Sequence, residues 1–195
     1  MPPPAVKTIE DLIYWQYAKI IAGSSGIGKW EFAFVMDRFK QLKDGRITWN
    51  WIREYVKERE SPDVCAFCGQ SGKMTQEHLV PRSMNGPDDE KNIVWICQSC
   101  NSSKGGKRLY ETWTLANGLK AAKYNAPRLA EGKYLKFAHE TLELAGLLSL
   151  KMGKLAETTC PTCSLHGLCI REHSEGKLSP LCIDELVVKV LSSRQ

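Results

Sequence analysis

The chain has 195 residues, of which 43% are hydrophobic and 25% are charged, and its net charge is +5. These values are ordinary for a soluble globular protein of one or two small domains. No apolar run reaches the roughly 18–20 residues that a membrane-spanning helix needs, and "MPPPAVKTIE" lacks the features of a signal peptide. A cytoplasmic location without a membrane partner is therefore expected, and the mild basic excess is compatible with binding nucleic acid.

The first 60 residues are predicted to be helical. Thr8 can cap a helix that ends near Gly23, and Asp11 stands in its first turn. Apolar residues at helical spacing predict further helices over 29–45, 48–62, 108–122, 132–150 and 183–193. The segment 63–107 differs, because it is rich in Cys, Gly, Pro and Asn and contains one strand-like run, "NIVWIC".

All eight cysteines fall into two groups of four. Three Cys-x-x-Cys pairs without an export signal favour metal thiolates, and disulfides remain the alternative. Four thiolates fill a tetrahedral zinc ion, so the first group is expected to hold structural Zn²⁺. Metal binding would supply folding free energy that a segment with few large apolar side chains lacks. The members of this first group are Cys65, Cys68, Cys97 and Cys100.

The second group could hold either a second Zn²⁺ or a [4Fe–4S] cluster, since its Cys-x2-Cys-x5-Cys spacing suits both. His166 and His173 could enter a mixed site or be exposed loop residues. We expect a structural role, such as fixing the C-terminal helix to the rest of the chain. The cysteines of this group are Cys160, Cys163, Cys169 and Cys182.

The interval between the first two cysteine pairs carries residues suited to phosphodiester hydrolysis. His78 can take a proton from water near neutral pH. Glu77 and Asn101 offer oxygen atoms that suit Mg²⁺ or Mn²⁺ better than a soft metal. Other basic residues are placed to meet the phosphates of DNA, namely Arg82, Lys104, Lys107 and Arg108.

The stretches "EHLVPRS", "KNIVWIC" and "CNSSKGGK", together with the cysteine pairs, resemble the HNH endonuclease family over roughly residues 62–115. The resemblance implies a ββα-metal fold with a four-cysteine zinc site. It further implies that His78 is the general base, that Glu77 and Asn101 bind the catalytic ion, and that Asn92 orients His78 through a backbone contact. Asn101 stands where histidine is common, and Glu77 where aspartate is common. The asparagine implies an oxygen-rich site rather than an inactive one.

The expected function is therefore metal-dependent DNA cleavage in restriction or other phage defence, a phage or a mobile element. A monomer would nick one strand, and a double-strand break would need a homodimer, a larger complex or two sequential cuts. The alternatives are a non-catalytic zinc-binding DNA or protein adaptor, and a nuclease selective for RNA or for DNA structure.

The expected fold is mainly α with a small α+β module, a ββα-metal core held by a four-cysteine zinc site. The expected divisions are an N-terminal helical region at 1–60, the HNH nuclease module at 61–115, a helical region at 116–158, and the C-terminal cysteine cluster and helix at 159–195.

Overall fold

A computed structural model of the chain describes residues 2–27, 31–49, 60–116 and 127–194. These residues are mostly helical and include one two-stranded antiparallel sheet, which confirms the predicted fold class. The predicted helix over 48–62 falls mainly on residues outside the described ranges. The helices in chain order are α1 Ile9–Ser24, α2 Phe32–Lys43, α3 Gln98–Lys104, α4 Leu109–Ala116, α5 Arg128–Leu144, α6 Met152–Thr158, α7 Ile170–Ser174 and α8 Pro180–Ser192.

The start of α1 follows from its capping residues. The Thr8 hydroxyl accepts the backbone N–H of Asp11 at 3.1 Å, and the Asp11 carboxylate accepts the backbone N–H of Thr8 at 3.2 Å. This reciprocal pair satisfies N–H groups that have no partner within the helix. Asp11 also accepts a hydrogen bond from Lys43 at 2.7 Å, so the same carboxylate links α1 to the end of α2.

The helices form a body around one hydrophobic cluster. α1 packs against α2, α5 and α8, and α4 also packs against α8. The buried side chains include Ile13 and Ile20 of α1, Tyr134 of α5 and Val187 of α8. None of the helices in the described part of the chain is long and apolar enough to span a membrane.

The sheet pairs β1, Met74–His78, with β2, Ile93–Cys97. Met74 lies opposite Cys97, and His78 opposite Ile93. β2 is the predicted strand, whereas the residues of β1 are mostly polar and carried no strand pattern of their own. α3 follows β2 without a break and packs across both strands, which gives the ββα arrangement.

The module that contains the sheet rests on the helical body. A 3-10 turn at Arg82–Met84 follows β1 and contacts α8. Beyond it, the Asn85 amide donates to the Ser192 hydroxyl at 3.3 Å. The loop between the two strands is therefore supported by the C-terminal helix.

Candidate active site and metal centres

The first cysteine group forms a compact metal centre. The sulfur atoms of Cys65, Cys68, Cys97 and Cys100 all lie within 4.8 Å of one another. Zinc–sulfur bonds of about 2.3 Å in a tetrahedron require this kind of separation. Cys65 and Cys68 come from the turn before β1, whereas Cys97 ends β2 and Cys100 lies in α3. An ion bound here would hold the turn, strand and helix together.

Hydrogen bonds favour the thiolate form at two of these sulfurs, Cys65 and Cys97, whereas the pKa values of Cys68 and Cys100 are raised. The Ser99 hydroxyl and then the backbone N–H of Cys100 lower the pKa of Cys97 to about 6. Burial acts in the other direction on Cys65, but backbone N–H groups, including that of Cys68, leave its pKa lowered. The donor set of four sulfurs fits a structural zinc ion, as the cysteine spacing predicted.

Asn92 holds the loop that follows β1. Its side chain is fully buried, and Oδ1 accepts the backbone N–H of Val80 at 2.8 Å. Its Nδ2 donates to the carbonyl of Val80 at 3.0 Å and to that of Pro87 at 2.9 Å. The backbone carbonyl of Asn92 accepts the N–H of Leu79 at 2.7 Å. Asn92 thus fixes the backbone immediately after His78.

Gly86 permits this close packing. A Cβ at Gly86 would overlap the Val80 carbonyl oxygen and would approach Asn92 Nδ2 to 2.9 Å. Any larger residue would therefore displace the carbonyl that Asn92 binds. The adjacent Asn85 has a left-handed backbone with φ 61°, typical of a turn. The Asn-Gly pair signals such a turn in the sequence, but the pair alone does not reveal what the glycine touches.

His78 ends β1 beside an acid that sequence reasoning missed. Its Nε2 lies 3.0 Å from Asp88 Oδ1, and Asp88 Oδ2 accepts from the Arg82 guanidinium at 2.8 Å. The carboxylate therefore bridges the histidine and the arginine at the surface. The only signal for Asp88 was the acidic loop "GPDDE", which does not show which acid would face the ring.

Glu77 and Asn101 both lie at the interface between β1 and α3. Successive side chains of a strand alternate, so Glu77 shares a face of β1 with Thr75 and not with His78. Asn101 Nδ2 donates to the Thr75 hydroxyl at 3.2 Å, and one turn later Lys104 Nζ donates to Glu77 Oε1 at 2.7 Å. The structure thus brings the two predicted metal ligands to one interface.

The oxygen atoms at this interface fit a hard divalent ion. Glu77 Oε2 and Asn101 Oδ1 accept no hydrogen bond from any residue in the described ranges. A carboxylate and an amide oxygen are donors that Mg²⁺ accepts, with water filling its other positions. Glu77 Oε1, in contrast, is already neutralised by Lys104.

Two basic residues predicted to contact DNA are instead buried. Lys104 is fully buried against Glu77. Burial lowers the pKa of its ammonium group, although the Glu77 carboxylate partly opposes this fall. Arg108 is 7% exposed, donates to the Ser164 hydroxyl at 3.0 Å and lies 3.4 Å from Glu185. Their side chains neutralise internal acids, so the sequence-based assignment to DNA phosphates does not match their positions.

The other two predicted DNA contacts lie where a ligand could reach them. The Arg82 side chain is exposed beside Asp88. Lys107 is half-buried, and its Nζ lies near the carbonyls of Ser103 at 3.4 Å and Lys104 at 3.2 Å. Each ammonium or guanidinium group keeps donors that could be directed toward a phosphate.

A buried polar junction joins the module to the helical body. Asp184 of α8 accepts the Tyr134 hydroxyl at 2.7 Å and the backbone N–H of Glu111 at 3.0 Å. Burial raises the pKa of Asp184 to about 7, although these hydrogen bonds and Arg108 oppose the rise. This junction connects α4, which follows the module, to α5 and α8.

The second cysteine group is more open than the first. Among the described residues, three or more candidate ligand atoms come within 4.8 Å of one another only in the first group. In the second group, the His173 ring lies between two sulfurs. Its Nδ1 is 3.8 Å from Cys169 Sγ, and its Nε2 is 3.6 Å from Cys182 Sγ.

Comparison with known proteins agrees with this geometry. Residues 65–107 match the family model described as HNH endonuclease. The match begins at the first cysteine of the four-cysteine centre and ends just beyond α3. The searches of curated proteins and of solved structures found no match to the chain. The segment 65–107 therefore matches the HNH family, and its four clustered cysteines agree with the four-cysteine subclass, which confirms the predicted resemblance.

Proposed function

We propose that the HNH module makes this chain a metal-dependent endonuclease that hydrolyses DNA phosphodiester bonds. The observation that carries the proposal is the match of residues 65–107 to the HNH family in a segment whose zinc centre aligns β1, β2 and α3. Glu77 and Asn101 on one face of this unit, and His78 at the end of β1, then form the proposed site.

Glu77 and Asn101 would hold Mg²⁺ or Mn²⁺ through their free oxygen atoms. When bound, such an ion stabilises negative charge on the scissile phosphate and on the leaving oxygen. Lys104 binds Oε1 and so fixes the rotamer of the Glu77 carboxylate, which leaves Oε2 as the oxygen that can bind a cation. Lys104 thus acts as a positioning residue in this proposal rather than as a DNA contact.

His78 would be the general base. Asp88 is an acceptor when ionised, so it holds the proton of the neutral imidazole on Nε2 and leaves Nδ1 to receive another. The water would give this proton to Nδ1 while its oxygen attacks phosphorus, and the bond to the 3′ oxygen would break, with that oxygen taking a proton from solvent. The products would be 5′-phosphate and 3′-hydroxyl ends. Asn92 supports this step by fixing the backbone that carries the ring.

The substrate would be approached through Arg82 and Lys107. Both could exchange their internal partners for phosphate oxygens, and such contacts position a nucleic acid without reading its sequence. One module holds one site, so a monomer would nick, and a pair of chains would be needed to cut both strands together. Restriction, phage defence, phage functions and mobile elements all use such cleavage.

The test is cleavage of supercoiled plasmid by the purified chain with Mg²⁺ or Mn²⁺. His78→Ala should reduce the rate by about 10²–10⁴-fold, the usual contribution of a general base. His166→Ala, a histidine outside the module, is the matched control and should cut normally. Zinc content and circular dichroism must be unchanged in both variants. No cutting by the wild type with either ion, or equal cutting by His78→Ala, would refute the proposal.

The alternative is a non-catalytic zinc-stabilised adaptor for DNA or protein. One observation favours it, because Lys104 already neutralises Glu77 and so competes with a catalytic cation. Isothermal titration of Mn²⁺ into the zinc-loaded protein separates the two functions. The nuclease predicts binding that Asn101→Ala abolishes, whereas the adaptor predicts none. A parallel assay on single-stranded RNA distinguishes a ribonuclease.

A further inference from the structure

The turn after β1 approaches the end of α3 where Ser83 lies beside Gly106. A Cβ placed on Gly106 would stand 4.0 Å from the Ser83 hydroxyl oxygen, and both residues are exposed. Within the described ranges, neither the Ser83 hydroxyl nor the backbone N–H of Gly106 donates a hydrogen bond to another group. This contact therefore presents two neighbouring donors at the surface of the HNH module.

Two glycines follow α3, but the backbone requires glycine only at Gly105. That residue has φ 55° and ψ −142°, a conformation that side chains with a Cβ rarely adopt. Gly106 has no left-handed φ, and an added Cβ would meet the Ser83 hydroxyl only at an ordinary contact distance. Neither strain nor packing thus accounts for Gly106. The close approach of a ligand to the backbone would account for it, because a methyl group would stand beside the free N–H and opposite the hydroxyl.

A basic residue adjoins each of these donors. Arg82 precedes Ser83, and its guanidinium group is exposed. Lys107 follows Gly106, and its Nζ lies at the end of α3, 3.9 Å from where a Cβ of Gly105 would stand. Two cations, a hydroxyl and a backbone N–H form the kind of donor set that binds phosphate oxygens in protein–DNA complexes.

Lys107 also offsets the negative charge at the end of α3. The last carbonyl groups of a helix disfavour an anion. Lys107 Nζ donates to two of them, those of Ser103 at 3.4 Å and Lys104 at 3.2 Å. An anion that approaches the N–H of Gly106 therefore meets the ammonium group as well as these carbonyls.

We propose that these four groups form a phosphate site, which binds one phosphodiester group of the DNA strand to be cleaved. The members of the phosphate site are the side chains of Arg82, Ser83 and Lys107 and the backbone N–H of Gly106. This inference rests on the proposed nuclease function and names the contact that places the strand. Ser83 and Gly106 add donors without charge, so they hold the phosphate in position and read no base.

The phosphate site is connected to both parts of the proposed catalytic site. Asp88 bridges Arg82 and His78. On the other side, the Lys104 carbonyl accepts from Lys107, and the Lys104 ammonium donates to Glu77. One residue thus lies between the phosphate site and the general base, and one between it and a ligand of the catalytic ion. A phosphate bound here fixes the strand relative to both.

The test is the binding of a short DNA duplex to the zinc-loaded protein, measured by fluorescence anisotropy over a salt series. Mg²⁺ and Mn²⁺ are left out, so that binding is measured without cleavage. Ser83→Ala and Gly106→Ala should each weaken binding about 10-fold, the effect of one hydrogen bond to a charged group. Neither variant removes a charge, so the slope of log K against log salt should stay unchanged, whereas Lys107→Met should lower it by about 0.9.

Ser174→Ala and Gly153→Ala, both outside the module, are the matched controls and should bind as the wild type does. Gly106→Ala should keep the thermal stability of the wild type, because its Cβ overlaps no atom. Ser83→Thr keeps a hydroxyl group and should recover most of the binding that Ser83→Ala loses.

The outcomes separate the phosphate site from the nuclease function. Wild-type binding by Ser83→Ala and Gly106→Ala would overturn the phosphate site even if the chain cuts plasmid, and so would a wild type that binds no duplex. Weaker binding by both variants in a chain that cuts no DNA would support the phosphate site while refuting the nuclease. Binding of inorganic phosphate that the variants lose, with duplex binding intact, would show a site for a free anion and would also overturn the proposal.

Discussion

The HNH module and the helical body differ in what stabilises them. Between residues 65 and 107 the fully buried apolar side chains are few, namely Cys65, Leu79, Val80, Val94 and Ile96. α1 alone buries a larger set, including Ile9, Leu12, Ile13, Trp15, Tyr17, Ile20 and Ile21. The module instead relies on four clustered sulfurs, one buried ion pair and the hydrogen bonds of Asn92. Metal and polar contacts can therefore replace apolar burial in a small folded unit of this kind.

Removal of the first metal centre should produce the largest difference in stability between the HNH module and the helical body. Cys100→Ser deletes one thiolate from a module with few buried apolar side chains, and zinc binding in comparable small units contributes on the order of 10 kcal/mol. Hydrogen exchange should therefore show loss of protection over residues 65–107 while α1 and α5 stay protected. If the module kept its protection in the zinc-free variant, the metal would not be its main source of stability.

The buried ion pair of the module gives the next largest effect. Lys104→Met leaves Glu77 without its partner, and breaking a buried pair costs about 3–5 kcal/mol. Lys107→Met, which removes a less buried lysine nearby, should change the free energy of unfolding by less than about 0.5 kcal/mol. Urea unfolding measures both.

A double variant checks the cause of that loss. Glu77→Gln in the Lys104→Met background removes the unpaired charge, so part of the stability should return. Equal stability of Lys104→Met and Lys107→Met would show that the Glu77–Lys104 pair contributes little.

The polar junction of the body should make stability depend on pH. The pKa of Asp184 is raised to about 7 from 3.8, so the folded state holds a proton that the unfolded state has lost between these values. Its contribution to the free energy of unfolding therefore falls as pH rises from about 4 to 7, by up to about 4 kcal/mol.

Asp184→Asn isolates this contribution. The substitution perturbs the hydrogen bonds that residue 184 accepts at every pH, but the asparagine side chain does not titrate. Its stability relative to the wild type should therefore improve from pH 4 to pH 8 in thermal or urea unfolding. A constant difference across this range would mean that the carboxyl group is not titrating with a raised pKa.

Two glycine substitutions, one in the HNH module and one in the helical body, should have smaller and opposite effects on stability. Gly86→Ala forces a methyl group onto the Val80 carbonyl and should destabilise the module by about 1–3 kcal/mol. Gly153→Ala in α6 meets nothing within 4 Å and should be neutral or stabilising by up to about 1 kcal/mol, because alanine favours helix. Thermal unfolding would detect both effects. If the two variants changed stability equally, the close approach of residue 86 to the Val80 carbonyl would not be the cause of the destabilisation.

The smallest effect on stability should come from Arg82, which lies at the surface. Arg82→Ala should leave unfolding unchanged within about 0.5 kcal/mol. Its effect should appear in DNA binding, where the dependence of log K on log salt should fall by about 0.9 for one lost phosphate contact. Fluorescence anisotropy over a salt series measures this slope. An unchanged slope would remove Arg82 from the proposed DNA surface.

Much of the fold was predictable from local signals. The capping pair of Thr8 and Asp11 placed the start of α1, and the apolar run before Cys97 placed β2, because these patterns depend on neighbours in the chain. β1 was not predictable from its own residues, since "MTQEH" is mostly polar. It becomes a strand because β2 supplies its hydrogen-bonding partners, which lie 15 or more residues away.

The sequence by itself determined the resemblance of residues 65–107 to the HNH family, the cysteines of the first metal centre and the candidate residues Glu77, His78, Asn92 and Asn101. It could do so because ligand types and spacings are chemical properties of the chain. Only the tertiary structure decided that Lys104 and Arg108 are buried on internal acids while Arg82 is exposed, and that Asp88 faces His78. A charged residue carries no local mark of its partner, because burial and pairing depend on elements that meet only after folding.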